Sequence, residues 1–307
     1  MALNLGCDAP SGMTPHCGAS GIGLALTARL LSQHYHIFIS DLTLTPALSS
    51  LLSQHNTSSN RIVHFQACNT SSWDSQLDAF RAALHAFNGR IDTVFPIAGI
   101  GERKWLPFPS ESREMAADQF EKPDLGVVDV DLTGVLYTVA LAVQQFRRQD
   151  AVAWGSEGQD GGDDRGQKRF RGKIGLVASV CGFYCVPSLP VYTAAKHALV
   201  GLTRSYGVLL QGEGITVNAV APNVVRTGIS DSRFYDMLEG EGLLTPMEGL
   251  MEAFDEMMKS GVSGKVFECG PKGGWKMKDG TGYEDAKSEK VCALLLERAR
   301  KLHYGAS

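Results

Sequence analysis

An α/β chain built on a Rossmann-type, doubly wound parallel sheet is the fold this sequence predicts, and three observations predict it. Strand-like apolar runs alternate with helix-like segments, the pattern that covers a parallel sheet on both faces. A glycine-rich turn, Gly18-Ala19-Ser20-Gly21-Ile22-Gly23, opens the first helix. Glycines there let the backbone approach a pyrophosphate, which a helix N-terminus attracts. Asp41 follows a strand-like run about twenty residues later, where a carboxylate would accept a ribose hydroxyl.

Each element then follows in order. Residues Asp8 to Pro15 carry two prolines and predict only a poor first strand. Ile22, Leu26 and Leu30 share one face of the first helix. The runs His36–Ser40, Ile62–Gln66 and Asp92–Ile97 predict the next three strands, and helices are expected over 73–88 and 124–147. Residues 155–171 are polar, glycine-rich and without apolar period, which predicts a surface insertion. Lys173–Ser179 predicts a short buried strand that delivers Ser179 at its carboxyl end, the edge where ligands bind open α/β sheets. A loop with two prolines leads into a helix over Ala194 to Leu210. The segment 228–262 is rich in Met and Leu. Soft side chains of this kind suit a mobile cover over an apolar ligand, and equally a helix pair packed on the body. The tail, 284–304, predicts an amphipathic helix with Val291, Leu294 and Leu295 on one side, packed on its own subunit or on a partner.

Composition narrows the function. The 307 residues are 44% hydrophobic, enough for a full core, and form one domain over 1–307. A net charge of −4 argues against nucleic acid or an anionic membrane as partner. No apolar run reaches a membrane-spanning length and no leader pattern opens the chain, so a cytoplasmic protein is expected. The 7 cysteines are odd in number, scattered and without a CxxC pair, which fits reduced thiols. Cys181 and Cys185 have no companion ligand cluster, so no metal is expected.

The chemistry resides in Tyr192-Thr193-Ala194-Ala195-Lys196, preceded by Ser179. A tyrosine and a lysine four apart share one helix face. A free phenol, with a pKa of about 10, is a poor base at neutral pH. A neighbouring ammonium favours phenolate and suits the tyrosine to proton transfer. Such a pair alone is common on solvated helices. A serine and a tyrosine hydroxyl meeting over one substrate oxygen suit hydride transfer at a carbinol carbon.

In this order of strand, serine, tyrosine and lysine, followed by Ile215-Thr-Val-Asn-Ala-Val-Ala-Pro222, the chain resembles the short-chain dehydrogenase/reductase superfamily over about residues 16 to 270. The resemblance implies Tyr192 as acid/base, Lys196 as its activator, Ser179 as orienter of the substrate oxygen and Asp131 as holder of a relay water. It implies that Gly18, Gly21, Ile22, Gly23, Asp41, Asn69, Ala98, Gly99, Tyr192, Lys196, Val225 and Thr227 contact a nicotinamide cofactor. Asp41 favours NAD over NADP. The chain departs from the family at His16 and Cys17 in the glycine turn, at Ile97, at Asp131 in place of Asn, at Asn69-Thr70 in place of Asp-Val, and at Asn223. Pro190 to Ser205 looks most like 15-hydroxyprostaglandin dehydrogenase and its fungal relatives, which implies interconversion of a secondary alcohol and a ketone on a mostly apolar small molecule, in fungal secondary metabolism. A homodimer or homotetramer is expected through the helices over 124–147 and 194–210, with Val135, Val139 and Val143 and Leu199, Leu202 and Tyr206 facing outward. The rival reading is the same fold without net redox chemistry, as an isomerase, a cyclase or a cofactor-binding protein.

Overall fold

The computed structural model describes residues 12–16, 18–57, 61–153 and 169–305. The first half contains β1 (Gly12–His16), α1 (Gly21–Ser32), β2 (His36–Asp41), α2 (Pro46–His55), β3 (Val63–Ala67), α3 (Trp73–Ala86) and β4 (Thr93–Pro96). Then come the short α4 (Pro109–Glu114) and α5 (Gly126–Val128), a π-helical segment Asp129–Gly134, and α6 (Val135–Arg148). Two-residue strands β5 (Val152–Ala153) and β6 (Arg169–Phe170) pair antiparallel. The rest is β7 (Gly172–Val177), α7 (Pro190–Leu210), β8 (Ile215–Pro222), α8 (Ser232–Gly240), α9 (Met247–Lys259), β9 (Val266–Cys269), β10 (Lys276–Lys278) and α10 (Ala286–Tyr304).

The main sheet has the order β10-β9-β8-β7-β4-β1-β2-β3 and is parallel except for the edge strand β10. The order in which strands are added reverses between the parallel neighbours β1 and β4, the switch point where such sheets bind ligands. One apolar core packs α1, α2 and α9 on one face through Leu26, Leu30, Leu48 and Phe254. The other packs α3, α6 and α7 on the opposite face through Phe80, Val139, Phe146 and Leu199. β7 and β8 are buried along their whole length, which their mostly apolar runs reflect, with Lys173, Thr216 and Asn218 as buried polar exceptions.

The sequence-based expectations need correction at four places, and a fifth lies mostly outside the described residues. Gly12–His16 forms a strand in the middle of the sheet despite Pro15, because β2 and β4 pair with it on both sides; a missing N–H removes one ladder bond, and the neighbours' registers supply the rest. The helix expected from Ala194 starts at Pro190, whose fixed φ suits a first helical position. Val135, Val139, Val143 and Leu199 face their own sheet and are buried, and Leu202 and Tyr206 pack against the same core. They therefore furnish no outer apolar face for assembly. Within 228–262, the Met- and Leu-rich residues of α9 are body, with Leu250, Met251, Phe254, Met257 and Met258 buried, whereas Met237 on α8 is exposed. The insertion expected over 155–171 lies outside the described residues except at Arg169–Arg171, and there Arg169–Phe170 is a strand.

The helix from Gly126 to Arg148 is long and apolar enough to cross a membrane, yet half of its apolar window is buried in the fold. α10 runs as expected, but Val291, Leu294 and Leu295 are exposed. It is tied to the body at its end, where the Tyr304 hydroxyl donates to the Leu209 carbonyl at 2.6 Å.

β7, which leads to Ser179, is anchored by a buried lysine. Lys173 Nζ donates to the carbonyls of Met257, Met258 and Ser260 at 3.2, 2.7 and 2.6 Å, capping the C-terminus of α9. Burial pushes its pKa down to about 6, while three carbonyls at the negative end of a helix pull the other way. Lys173→Met removes the donor and leaves those carbonyls bare. It should cost about 3 kcal/mol, read as a lower urea midpoint with an unchanged m-value.

Candidate active site

The candidate site forms at the carboxyl edge of β7. Ala178 donates its N–H to Val220 at 2.8 Å, and the chain then leaves the sheet at Ser179. Ser179 caps a single 3₁₀ turn, Val180–Gly182, its hydroxyl accepting the Cys181 N–H at 3.1 Å. That turn lies tightly on α7: a Cβ on Gly182 would come within 2.8 Å of the Lys196 carbonyl and 2.6 Å of Val200. Glycine at this point lets Ser179 reach the helix that carries Tyr192 and Lys196.

The three side chains meet as the spacing predicts. The Ser179 hydroxyl lies near enough to the Tyr192 phenol to favour its ionised form. Lys196 Nζ lies 5.3 Å from the centroid of the Tyr192 ring. It also donates to the Val177 carbonyl at 3.3 Å and pairs with Asp131 Oδ2 at 3.1 Å. Lys196 and Asp131 are both buried. The resemblance implied that Asp131 holds a relay water, whereas here its carboxylate itself contacts the lysine. Burial raises the Asp131 pKa, against the pull of Lys196 and of the Ile100 N–H, which donates at 2.8 Å. Tyr192 was expected to be tuned downward. Burial instead holds its phenol above the ordinary value, outweighing Lys196 and Ser179, with Asp131 adding to the rise.

The residues that the resemblance assigns to a cofactor gather around the switch point. Gly18 and Ala19 are buried in the turn, and Gly21 has φ +49°, a conformation side chains rarely adopt. A Cβ on Gly21 would stand 3.2 Å from Thr227, so the glycine turn and the segment after β8 face each other. Ile22 and Gly23 lie in the first turn of α1. Asp41 accepts the N–H of Ala19 at 3.0 Å and of Leu42 at 2.7 Å. A carboxylate has about four acceptor positions, so capacity remains for ribose hydroxyls. Asn69 spends its side-chain oxygen on the N–H and hydroxyl of Ser71. Ala98 and Val225 are buried. Gly99 packs so that a Cβ would come 3.2 Å from Asp131 and 3.4 Å from Lys196. These glycine cradles, which a Cβ would fill, fit a dinucleotide. Cys17 lies outside the described residues. Among the described residues no cluster of His, Cys, Asp and Glu could hold a metal ion.

Sequence reasoning missed two residues here. The Tyr235 hydroxyl contacts Thr227 at 3.3 Å and accepts the Ser230 N–H at 3.1 Å; burial opposes, but these bonds hold its phenol below the ordinary value. Glu102 accepts the N–H of Tyr192 at 2.7 Å. No local pattern marks either one, since each contact depends on a loop's path in space.

Comparison with known proteins agrees with this geometry. Residues 17–159 and 163–237 match the short chain dehydrogenase family. A short-chain dehydrogenase/reductase of Penicillium rubens is 31% identical over 173 residues, 56% of this chain and 55% of its own length. The chain thus spans little more than half of that relative. The 5′-hydroxyaverantin dehydrogenase of Dothistroma septosporum is 26% identical over 308 residues, covering 94% of this chain and 93% of its own. Among solved structures, 3-ketoacyl-(acyl-carrier-protein) reductase from Brucella melitensis, complexed with NADH, superimposes with a TM-score of 0.64 at 19% identity, covering 86% of this chain and 98% of its own. The protein belongs to the short-chain dehydrogenase family.

Proposed function

We propose that this protein interconverts a secondary alcohol and a ketone on a mostly apolar small molecule, with NAD preferred to NADP. The observation that carries the reading is the convergence of Ser179, Tyr192 and Lys196 at the carboxyl edge of β7. When bound, the nicotinamide gives or accepts the hydride. The chain's own residues manage the oxygen and its proton. Ser179 orients the substrate oxygen, Tyr192 gives or takes the proton, and Lys196 with Asp131 sets the charge around the phenol. Thr227 and the main chain of Val225 hold the carboxamide, and Asn69, whose oxygen Ser71 occupies, offers its amide N–H to the adenine. Exposed Ile229, Phe234 and Met237, just beyond Thr227, support an apolar substrate. The likeness to 15-hydroxyprostaglandin dehydrogenase in α7 supports chemistry at a secondary alcohol. The match to 5′-hydroxyaverantin dehydrogenase along 94% of the chain supports a place in fungal secondary metabolism. A panel of ketones and secondary alcohols, followed by nicotinamide absorbance, tests the reading. Failure to bind NADH at millimolar concentration in a fluorescence titration would overturn it.

Cofactor choice rests on Asp41. A 2′-phosphate would meet its carboxylate in a partly desolvated turn. The nearby Arg29 is engaged elsewhere, at 2.6 Å from Asp255 and 3.0 Å from Glu248. NAD should be preferred by about 10- to 100-fold in kcat/KM, or about 1.4–2.8 kcal/mol. Asp41→Ala should remove most of that preference, and equal efficiency of wild type with both cofactors would contradict it.

A further inference from the structure

We infer that Glu102 is a positioning residue, a carboxylate clamp that fixes the first turn of α7 and with it the reacting phenol of Tyr192. The inference rests on the redox reading above for its kinetic consequence, and on geometry for the clamp itself. α7 begins without a cap of its own: Leu189 supplies no side-chain acceptor, and Pro190 has no N–H. The first donors of the helix are therefore the N–H groups of Val191 and Tyr192, which have no partner inside the helix. Glu102, about ninety positions away in sequence, takes both, Oε1 from Val191 at 3.3 Å and Oε2 from Tyr192 at 2.7 Å. Its charge also faces the positive end of the helix.

The loop that carries Glu102 touches the reacting group's neighbours a second time. Ile100, two residues earlier, donates its N–H to Asp131, which pairs with Lys196. Gly101, between them, packs against Ile229, since a Cβ there would meet Ile229 Cγ2 at 3.3 Å. One short strap following β4 therefore holds the backbone of Tyr192, the partner of Lys196 and the segment after Thr227. Losing the clamp frees the turn on which the phenol sits, and a displacement of about 1 Å at a reacting group lowers turnover by about 100-fold.

The test compares wild type with Glu102→Ala and Glu102→Gln by amide hydrogen exchange, NADH fluorescence titration and steady-state kinetics on a ketone found in the screen. In Glu102→Ala, the amides of Val191 and Tyr192 should exchange faster. The value of kcat should fall by about 10- to 100-fold, with NADH affinity within about twofold of wild type. Glu102→Gln keeps one acceptor oxygen and should recover part of both losses. Exchange at Val191 and Tyr192 unchanged in Glu102→Ala, or kcat within about twofold of wild type, overturns the clamp. A wild-type protein that turns over no substrate refutes the redox reading instead, and exchange, which needs no turnover, still decides the clamp.

Discussion

Tyr192→Phe is expected to lower turnover by about 10²- to 10⁴-fold, the usual contribution of one general acid–base group. The substitution removes a single oxygen and keeps the ring that Lys196 faces at 5.3 Å. Ser179 would still meet the substrate oxygen, but no group at that point could exchange its proton. In free-energy terms the loss is about 2.7–5.4 kcal/mol of transition-state stabilisation. Folding should change little, since the substitution removes one hydroxyl and leaves the ring's packing intact, a loss of about 1 kcal/mol at most. NADH titration separates a loss of chemistry from a loss of cofactor. The variant should bind NADH as wild type does and fail in turnover. Wild-type turnover in Tyr192→Phe would remove the tyrosine from the mechanism. The raised phenol also fixes a pH dependence. Alcohol oxidation needs the phenolate, so below the phenol's pKa its rate should climb with pH by about tenfold per unit. Ketone reduction needs the neutral phenol and should stay level before falling at alkaline pH.

Asp131 should divide into two effects that two substitutions separate. Asp131→Ala leaves the Lys196 ammonium buried without its carboxylate, and breaking a buried pair from one side costs about 3–5 kcal/mol. It also takes the acceptor from the Ile100 N–H, bonded at 2.8 Å. Thermal or urea unfolding reads this loss. Asp131→Asn keeps the shape and an acceptor oxygen, so it should fold. It removes a negative charge that holds the Tyr192 phenol up, and leaves the positive charge of Lys196 in place. Phenolate then forms more readily, and the rising limb of alcohol oxidation should move to lower pH. Burial still opposes ionisation, Ser179 still favours it, and the Cys181 thiol stays where it is. A pH–rate profile for Asp131→Asn that overlays wild type would show that the ion pair does not govern the tyrosine.

Much of this was legible in the sequence where one short segment carries the whole signal. β2 and β7 could be read from their short, mostly apolar runs, as expected of strands buried on both faces. Tyr192 and Lys196 followed from helical spacing, and Asp41 from its distance to the glycine turn. Legibility ended where two segments must meet. Pro15 argued against a strand, and only pairing with β2 and β4 overrides it. Val135, Val139 and Val143 formed a clear stripe, but a stripe does not say whether a sheet or a second subunit covers it. The contact of Asp131 with Lys196 and of Glu102 with α7 came from backbones far apart in sequence, for which no local pattern exists.

The π-helical segment Asp129–Gly134 has a consequence of its own. Such a segment amounts to one extra residue accommodated in an α-helix without unwinding it. The carbonyl at its end, on Gly134, accepts from Gln76 Nε2 at 2.8 Å and from the Thr138 hydroxyl at 3.1 Å. A Cβ on Gly134 would strike the Thr70 carbonyl at 2.7 Å, so the bulge is wedged against the loop after β3. Each residue of an α-helix turns the next by about 100°. Deleting one residue between Asp131 and α6 while α6 stays anchored on the sheet would therefore swing the carboxylate about a quarter turn away from Lys196. The insertion behaves as an indexing tooth: a single codon's length decides whether a buried acid faces the lysine at all.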